Sequence, residues 1–443
     1  MSDGVMERWH KLADRALKGA PRETLDADLS AILGARGSLT PFAPAAPPRY
    51  AGRPTGDNAA IVQPVHIDGA AATARADLTN GATGLALVFA GARPGHIGLT
   101  INTVDDLDQT LDGVSLDLID LHIDAGDSAP AALALLLTLC ERRGTLPRTL
   151  HAALPTVSDA IDATAVAGTR FVADGAVAAE AGLAPAEELA VATLHFAEIL
   201  REGLAAGHAA EAIAARTSIR LGASADVFVT LAKVRAMRAI HALLGEGFGF
   251  AIPAEIHAIA TASTLAPSDR PTNLLRLTGA AMGAMLGGAD SVRLPPFDGS
   301  GAPFGARMGR NISALLQDEG HIALLSDPAE GSGTLEALTD TLGEAAWALF
   351  KTLGEGAPGW RTAAELKTRL DAAKARPRTL IGVTKHPPTT PDTAPPPTPA
   401  TPREGERITG PFAALMAAAK DGRALSLATT PAFPPLGAIG EAP

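Results

Sequence analysis

Thr217-Ser218-Ile219-Arg220-Leu221, Glu255-Ile256-His257-Ala258-Ile259-Ala260 and Asp290-Ser291-Val292-Arg293-Leu294 are short β-type runs separated by long Ala- and Leu-rich stretches of helical character. Working outward from them, the same alternation extends back to Ile61. Further strands are expected at Ile61 to Ile67, Gly84 to Phe89, Leu116 to Ile123, Thr149 to Leu154 and Thr169 to Ala173, which makes eight in all. Each leads through a Gly, Pro or Asp turn or directly into a helical stretch. Eight βα units in one run predict a closed (β/α)8 TIM barrel rather than an open sheet. No G-x-G-x-x-G follows Ile67 or Phe89, so a dinucleotide-binding sheet is not supported.

The chain has 443 residues, whereas a barrel of this kind takes about 250. Residues 1–45 read as a helical arm and linker. Leu12, Leu17, Leu25, Leu29 and Leu33 fall roughly on one face, Pro21 interrupts, and Thr24 is placed to cap a second short helix. Residues 46–386 form the barrel unit with trailing helices, expected from Pro303 to Glu319, from Thr334 to Gly354 and from Thr362 to Ala375, and a strand-like Leu380 to Val383. Residues 387–443 begin with a Pro/Thr-rich run and read as a disordered linker and short tail, with one short helix at Pro411 to Lys420.

Composition excludes several functions. A net charge of −11 and a pI of about 5.5 argue against a phosphate-neutralising nucleic-acid binder. The longest strongly apolar stretch, Ala131 to Cys140, is far short of the roughly 20 residues that span a bilayer. With no secretory apolar run near Met1, a cytoplasmic protein without membrane contact is expected. Cys140 is the only cysteine, which rules out an internal disulfide and a Cys-rich zinc site. It sits in an apolar helical run and reads as a packing residue.

Active sites of such barrels lie at the C-terminal strand ends. The polar residues expected there are His66, Asp68, His122, Asp124, Asp174, Ser224, Asp226 and Ser263. His66, His122, Asp68 and Asp124 are the one grouping with the donor types of a metal or acid/base cluster, but two histidines without a third ligand are not a metal signature. They are read as strand-end residues bonding backbone or solvent, and no metal site is expected. Gly287-Gly288-Ala289-Asp290 precedes a strand and reads as a helix-terminating turn, not a phosphate cradle. Asp298-Gly299-Ser300-Gly301 follows the eighth strand and reads as a loop; Asp318-Glu319 and Glu187-Glu188 read as solvated faces, the latter also suiting the first turn of a helix.

A resemblance to a known family rests on a run of motifs in order. Asp226-Val227-Phe228 through Ala232-Lys233-Val234-Arg235-Ala236-Met237-Arg238 resembles the D-x-F-x-x-x-A-K-[LV]-R-A-x-R of the methylmalonyl-CoA mutase family. Asn273-Leu274-Leu275-Arg276, Gly287-Gly288-Ala289-Asp290, Pro296-Phe297-Asp298, Arg310-Asn311-Ile312, Leu316 to Glu319, Asp327-Pro328, Gly331-Ser332, Glu336, Leu338-Thr339 and Leu380 to Val383 follow in the family's order. The resemblance covers about residues 45 to 385 and is densest from 222 to 350. It implies a barrel that, in active members, holds an acyl-CoA thioester while adenosylcobalamin drives a radical 1,2-rearrangement between methylmalonyl-CoA and succinyl-CoA.

Active members carry a histidine beside the migrating carbonyl in G-Y-H-x-x-E-A-G; here the aligned stretch is Gly175-Ala176-Val177-Ala178-Ala179-Glu180-Ala181-Gly182. Val177 cannot donate a hydrogen bond or a proton. The stretch from Arg143 to Phe171 is too short for the substrate-binding Q-N-D segment and its arginine, the one tyrosine, Tyr50, lies in the arm, and no D-x-H-x-x-G cobalt-ligating motif occurs. The resemblance therefore points to the family's small, non-catalytic subunit without a C-terminal cobalamin domain. It implies no catalytic residue, no cofactor-binding residue that can be named, adenosylcobalamin only through a large catalytic subunit in a heterodimer, and acyl-CoA as a further ligand. Two other readings stay open: an acyl-CoA mutase barrel with cobalamin on a separate chain, with His66, His122 or His257 replacing the missing imidazole, and a regulatory barrel without turnover.

Overall fold

Parallel strands with helices outside and a packed interior inside must bury both faces. The computed structural model describes residues 3–25, 27–28, 38–39, 58–92, 97–152, 154, 169–266, 268–299, 302–322, 325–354, 368–369, 371–372, 379–389, 401–408 and 412–427. Eight parallel strands close into a barrel: β1 (Ala60–Val65), β2 (Gly84–Val88), β3 (Asp120–Asp124), β4 (Thr149–Ala152), β5 (Thr169–Asp174), β6 (Thr217–Ala223), β7 (Ile256–Ala260) and β8 (Ser291–Arg293). They pair in chain order, and β8 returns to β1 through Ser291 opposite Ala60. The strands fall where the sequence placed them, except that Leu116–Leu118 forms a 3-10 turn ahead of β3.

The helices are α1 (Asp3–Leu17), α2 (Ala71–Thr79), α3 (Val104–Thr110), α4 (Ala129–Arg143), α5 (Ala176–Glu180), α6 (Pro185–Ala205), α7 (Ala210–Ala214), α8 (Val227–Phe248), α9 (Asn273–Leu286), α10 (Pro303–Ala314), α11 (Gly333–Gly354) and α12 (Phe412–Lys420). Leu85, Leu87, Leu121, Ile123, Ile219 and Ile256 face this shell and are fully covered. With few aromatics, the contacts are made close by small residues. A Cβ on Gly283 or Gly287 would meet the α8 backbone oxygens of Val227 and Leu231 at 2.7 and 2.8 Å. These glycines let α9 approach α8 more closely than any larger residue would.

Several sequence expectations need correction. Glu187 and Glu188 are buried in the first turn of α6, not solvated. Glu187 accepts the Ala184 backbone N–H at 2.6 Å and pairs with Arg369 at 3.0 Å; Glu188 pairs with Lys233 at 2.5 Å and accepts the Gly222 N–H at 2.6 Å. Adjacent carboxylates read as surface because their partners, Lys233 and Arg369, are distant in sequence. Arg22–Leu25 is a 3-10 turn with Thr24 inside it, its hydroxyl donating to the Pro21 carbonyl at 2.7 Å instead of capping a helix. Leu380 to Val383 is a turn, not a strand: Gly382 has φ of +76° and the Leu380 carbonyl accepts from Val383, Thr384 and Lys385. The short helix expected at Pro411 to Lys420 forms at Phe412–Lys420, and residues 412–427 pack on the barrel instead of trailing as a free tail. Lys420 pairs with Glu141 at 2.8 Å, and the Leu425 N–H reaches the Asn102 carbonyl at 2.8 Å. Leu29, Leu33 and Pro41 to Pro48 lie outside the described residues, as does most of Thr362 to Ala375.

The charged motif residues form the ties of this shell. Arg235 on α8 bonds Asp327 (3.0 Å), Glu336 (2.8 Å) and Thr339 (2.9 Å), locking α11 against the barrel. Arg310 on α10 pairs with the buried Asp77 on α2 at 2.5 Å. Lys233→Met is expected to leave Glu188 buried without a cation and to lower unfolding stability by about 3–5 kcal/mol. Adding Glu188→Gln should recover part of it in urea titrations.

Candidate functional site

Outward positions on the strands are apolar apart from Gln63, Thr169 and Thr217, and the inward positions carry the charged and imidazole side chains. They read Asp120-x-His122-x-Asp124 on β3, Thr149-x-His151 on β4, Arg170-x-Val172-x-Asp174 on β5, Ser218-x-Arg220 on β6, His257 with the preceding Glu255 on β7, and Ser291-x-Arg293 on β8. Barrel interiors are ordinarily filled by branched apolar side chains. Here Val62, Ala86 and Val88 make only a small apolar cluster on one side.

Toward the C-terminal end lies a layer of paired charges. Arg220, only 1% exposed, bonds Asp174 at 2.9 Å and stands 3.6 Å from Asp124. Arg293 reaches across from β8 to Asp124 at 2.6 Å. Two guanidinium groups thus face two carboxylates, and the layer balances its own charge. Asp174 also accepts the Ala176 N–H at 3.0 Å, and its own N–H donates to His195 Nδ1 at 3.0 Å, which ties α5 and α6 to the strand end.

Beneath it three imidazoles meet. His122 and His151 stack with centroids 4.4 Å apart and 15° between planes, and His257 stands edge-on to both at 4.8 and 4.5 Å. All three are buried. Burial, reinforced by the neighbouring guanidinium groups, holds them neutral: it drives the His151 pKa down to about 3 and those of His122 and His257 well below the ordinary range. At the N-terminal end Glu255 bonds Arg170 and lies 3.7 Å from His151 Nε2 and 3.5 Å from His257 Nε2. Desolvation raises its carboxyl pKa to about 7, against the opposing pull of Arg170.

Most sequence-selected residues prove structural. Asp68 accepts the Thr100 N–H at 2.8 Å and pairs with Arg403 at 3.1 Å; Asp226 caps α8 through the Val229 N–H at 3.1 Å; Ser224 meets Thr230; and Ser263 donates to the Ala179 carbonyl at 3.2 Å. His66 Nδ1 stands 3.2 Å from the Pro64 carbonyl, on a strand-end pocket of about 40 Å³ bordered by Val88, Ile97, Leu265 and Pro295. The grouping of His66, His122, Asp68 and Asp124 is not assembled: Asp124 is paired with arginines and His122 stacks on His151. Gly288 has φ of +84° and ends the turn after α9, as expected; Asp318 and Glu319 are exposed, as expected. Cys140 is buried, and desolvation pushes its thiol up to about 11. Val177 is half-buried and packs with the cluster of Leu183, Leu194, Leu349 and Leu353 between α5, α6 and α11.

Sequence reasoning missed His151, Arg170, Arg220, Glu255 and Arg293 as members of one interior. The available signal was the period-two polar pattern, since the outer face of each strand is covered by helices and only the inner face can hold it.

Residues 168–367 match the family model described as methylmalonyl-CoA mutase. The methylmalonyl-CoA mutase small subunit of Streptomyces virginiae is 34% identical over 351 residues, 70% of this chain and 55% of that protein. The small subunit of Porphyromonas gingivalis is 35% identical over 204 residues, 44% of this chain and 33% of that protein. The methylmalonyl-CoA mutase of Escherichia coli is 26% identical over 324 residues, 65% and 45% of the two chains. The chain spans about half the length, or less, of these relatives. Arg220→Met should expose the cost of the interior layer: with Asp174 left without its guanidinium, stability should fall by about 3–5 kcal/mol in urea unfolding.

Proposed function

Because the chain belongs to the methylmalonyl-CoA mutase family, we propose that it is a small-subunit-type barrel, without a reacting centre of its own, that supports a large catalytic subunit. The filled barrel axis carries this reading. Active barrels of the family hold an acyl-CoA thioester inside, and here Arg220, Arg293, Asp124, Asp174 and three imidazoles occupy the interior as paired and stacked groups. Opening a passage would separate buried charges, at a cost of several kcal/mol for each ion left unpaired. Val177, at the position of the family's histidine, is an apolar packing contact. On this reading no side chain of this chain is catalytic, and acyl-CoA binds to the partner.

The described residues do not fit adenosylcobalamin. The strand-end pocket, of about 40 Å³, is far smaller than a corrin with its nucleotide and adenosyl groups. Cobalamin chemistry is therefore assigned to the large subunit. The arm supports a partner role: Leu12 on α1 is 55% exposed. By this proposal the arm from Trp9 to Leu33 wraps the partner, 46–386 form the scaffold and 387–443 a linker whose later part clamps α4. Among the described residues no helix is long and apolar enough to cross a membrane, and a cytoplasmic heterodimer is proposed.

The test is co-expression with a candidate large mutase subunit, mass by light scattering and a mutase assay with adenosylcobalamin. A 1:1 complex, with turnover only when the large subunit is present, is expected, and Val177→His alone should create none. Turnover by the unmodified chain with free adenosylcobalamin would overturn the proposal.

A further inference from the structure

We propose that the barrel interior is a binding site for a zinc-class divalent cation, held by His151, His257 and Glu255 with His122 as the fourth ligand. One donor atom from each imidazole lies within 4.8 Å of the others. The Nδ1 atoms of His151 and His257 are engaged by serine hydroxyls, Ser218 Oγ at 3.2 Å and Ser291 Oγ at 2.7 Å. Both Nε2 atoms are then turned toward the same Glu255 Oε1, at 3.7 and 3.5 Å, and His257 Nε2 is buried without a hydrogen-bond partner. With nitrogen and oxygen ligands at about 2.0–2.1 Å, the edges of a zinc tetrahedron are about 3.3–3.4 Å. The two edges from Glu255 are close to that, and the three imidazole donors lie farther apart, within 4.8 Å of one another.

Metal-bound histidines characteristically have the second ring nitrogen fixed by an outer partner, and the two serines supply this. Arg170 occupies the other oxygen of Glu255, Oε2, and Arg220 and Arg293 are matched by Asp124 and Asp174. The donor set of imidazole and carboxylate suits zinc. The role is structural, joining β3, β4 and β7 from inside; being enclosed, the site would load as the chain folds.

The proposal stands apart from the subunit assignment, since its readout is metal content and not mutase activity. The full chain is unfolded with chelator, refolded with or without Zn²⁺, desalted, and assayed for zinc by mass spectrometry. Close to one zinc per chain is expected, with a Tm raised by a few degrees and slow removal by chelator from the folded chain. Ser291→Ala, which keeps all four ligands, should weaken zinc affinity by about 10–100-fold. Co²⁺ refolded into the wild-type chain should show visible absorption of a tetrahedral site, a readout that needs no variant. A wild-type chain that refolds to native circular dichroism in Zn²⁺ yet retains less than a tenth of an equivalent would overturn the proposal. So would a folded His151→Gln/His257→Gln chain that keeps its zinc.

Discussion

A guanidinium cannot sit in a barrel without carboxylates around it, and Arg220 is the residue on which that constraint falls hardest. It is almost wholly buried and held between Asp174 and Asp124, the latter shared with Arg293 from the far side of the barrel. These contacts join β3, β5, β6 and β8 through the interior rather than around the sheet. Each partner is needed by the others, because removing one strands a charge in a medium that cannot solvate it. The layer therefore ties these strand ends together across the interior.

The shell obeys the same logic on a larger radius. Alanines and glycines bring helices close to one another and to the sheet, and long-range ion pairs fix their positions: Lys233 with Glu188, Arg235 with Asp327 and Glu336, Arg310 with Asp77. Of these, Lys233, Arg235, Arg310, Asp327 and Glu336 belong to the motifs that resemble the mutase family. Their role here is architectural, and Val177, proposed to stand where active members carry a histidine, is likewise a packing contact. What the family resemblance preserves in this chain is the scaffold and its packing.

The barrel was legible in the sequence because parallel strands buried on both faces alternate with helices over one unbroken run, and Leu85, Leu121 and Ile219 fall on that pattern. The interior was not. His122 and Asp124 were read as strand-end residues because their partners, His151 and Arg293, lie on other strands and pairing across a barrel leaves no local spacing. Glu187-Glu188 looked like surface for the same reason, their cations being contributed by α8 and by Arg369. Leu380 to Val383 misled in the opposite sense, as a β-like composition whose Gly382 closes a turn.

The central claim is that the interior is closed to the family's substrate by paired charges. Equilibrium dialysis of the isolated full-length chain against radiolabelled methylmalonyl-CoA tests it most directly. The account predicts no saturable binding at concentrations up to the millimolar range. Saturable binding at one site per chain, abolished by a bulky substitution inside the barrel such as Ala86→Trp but not by a surface one, would contradict it.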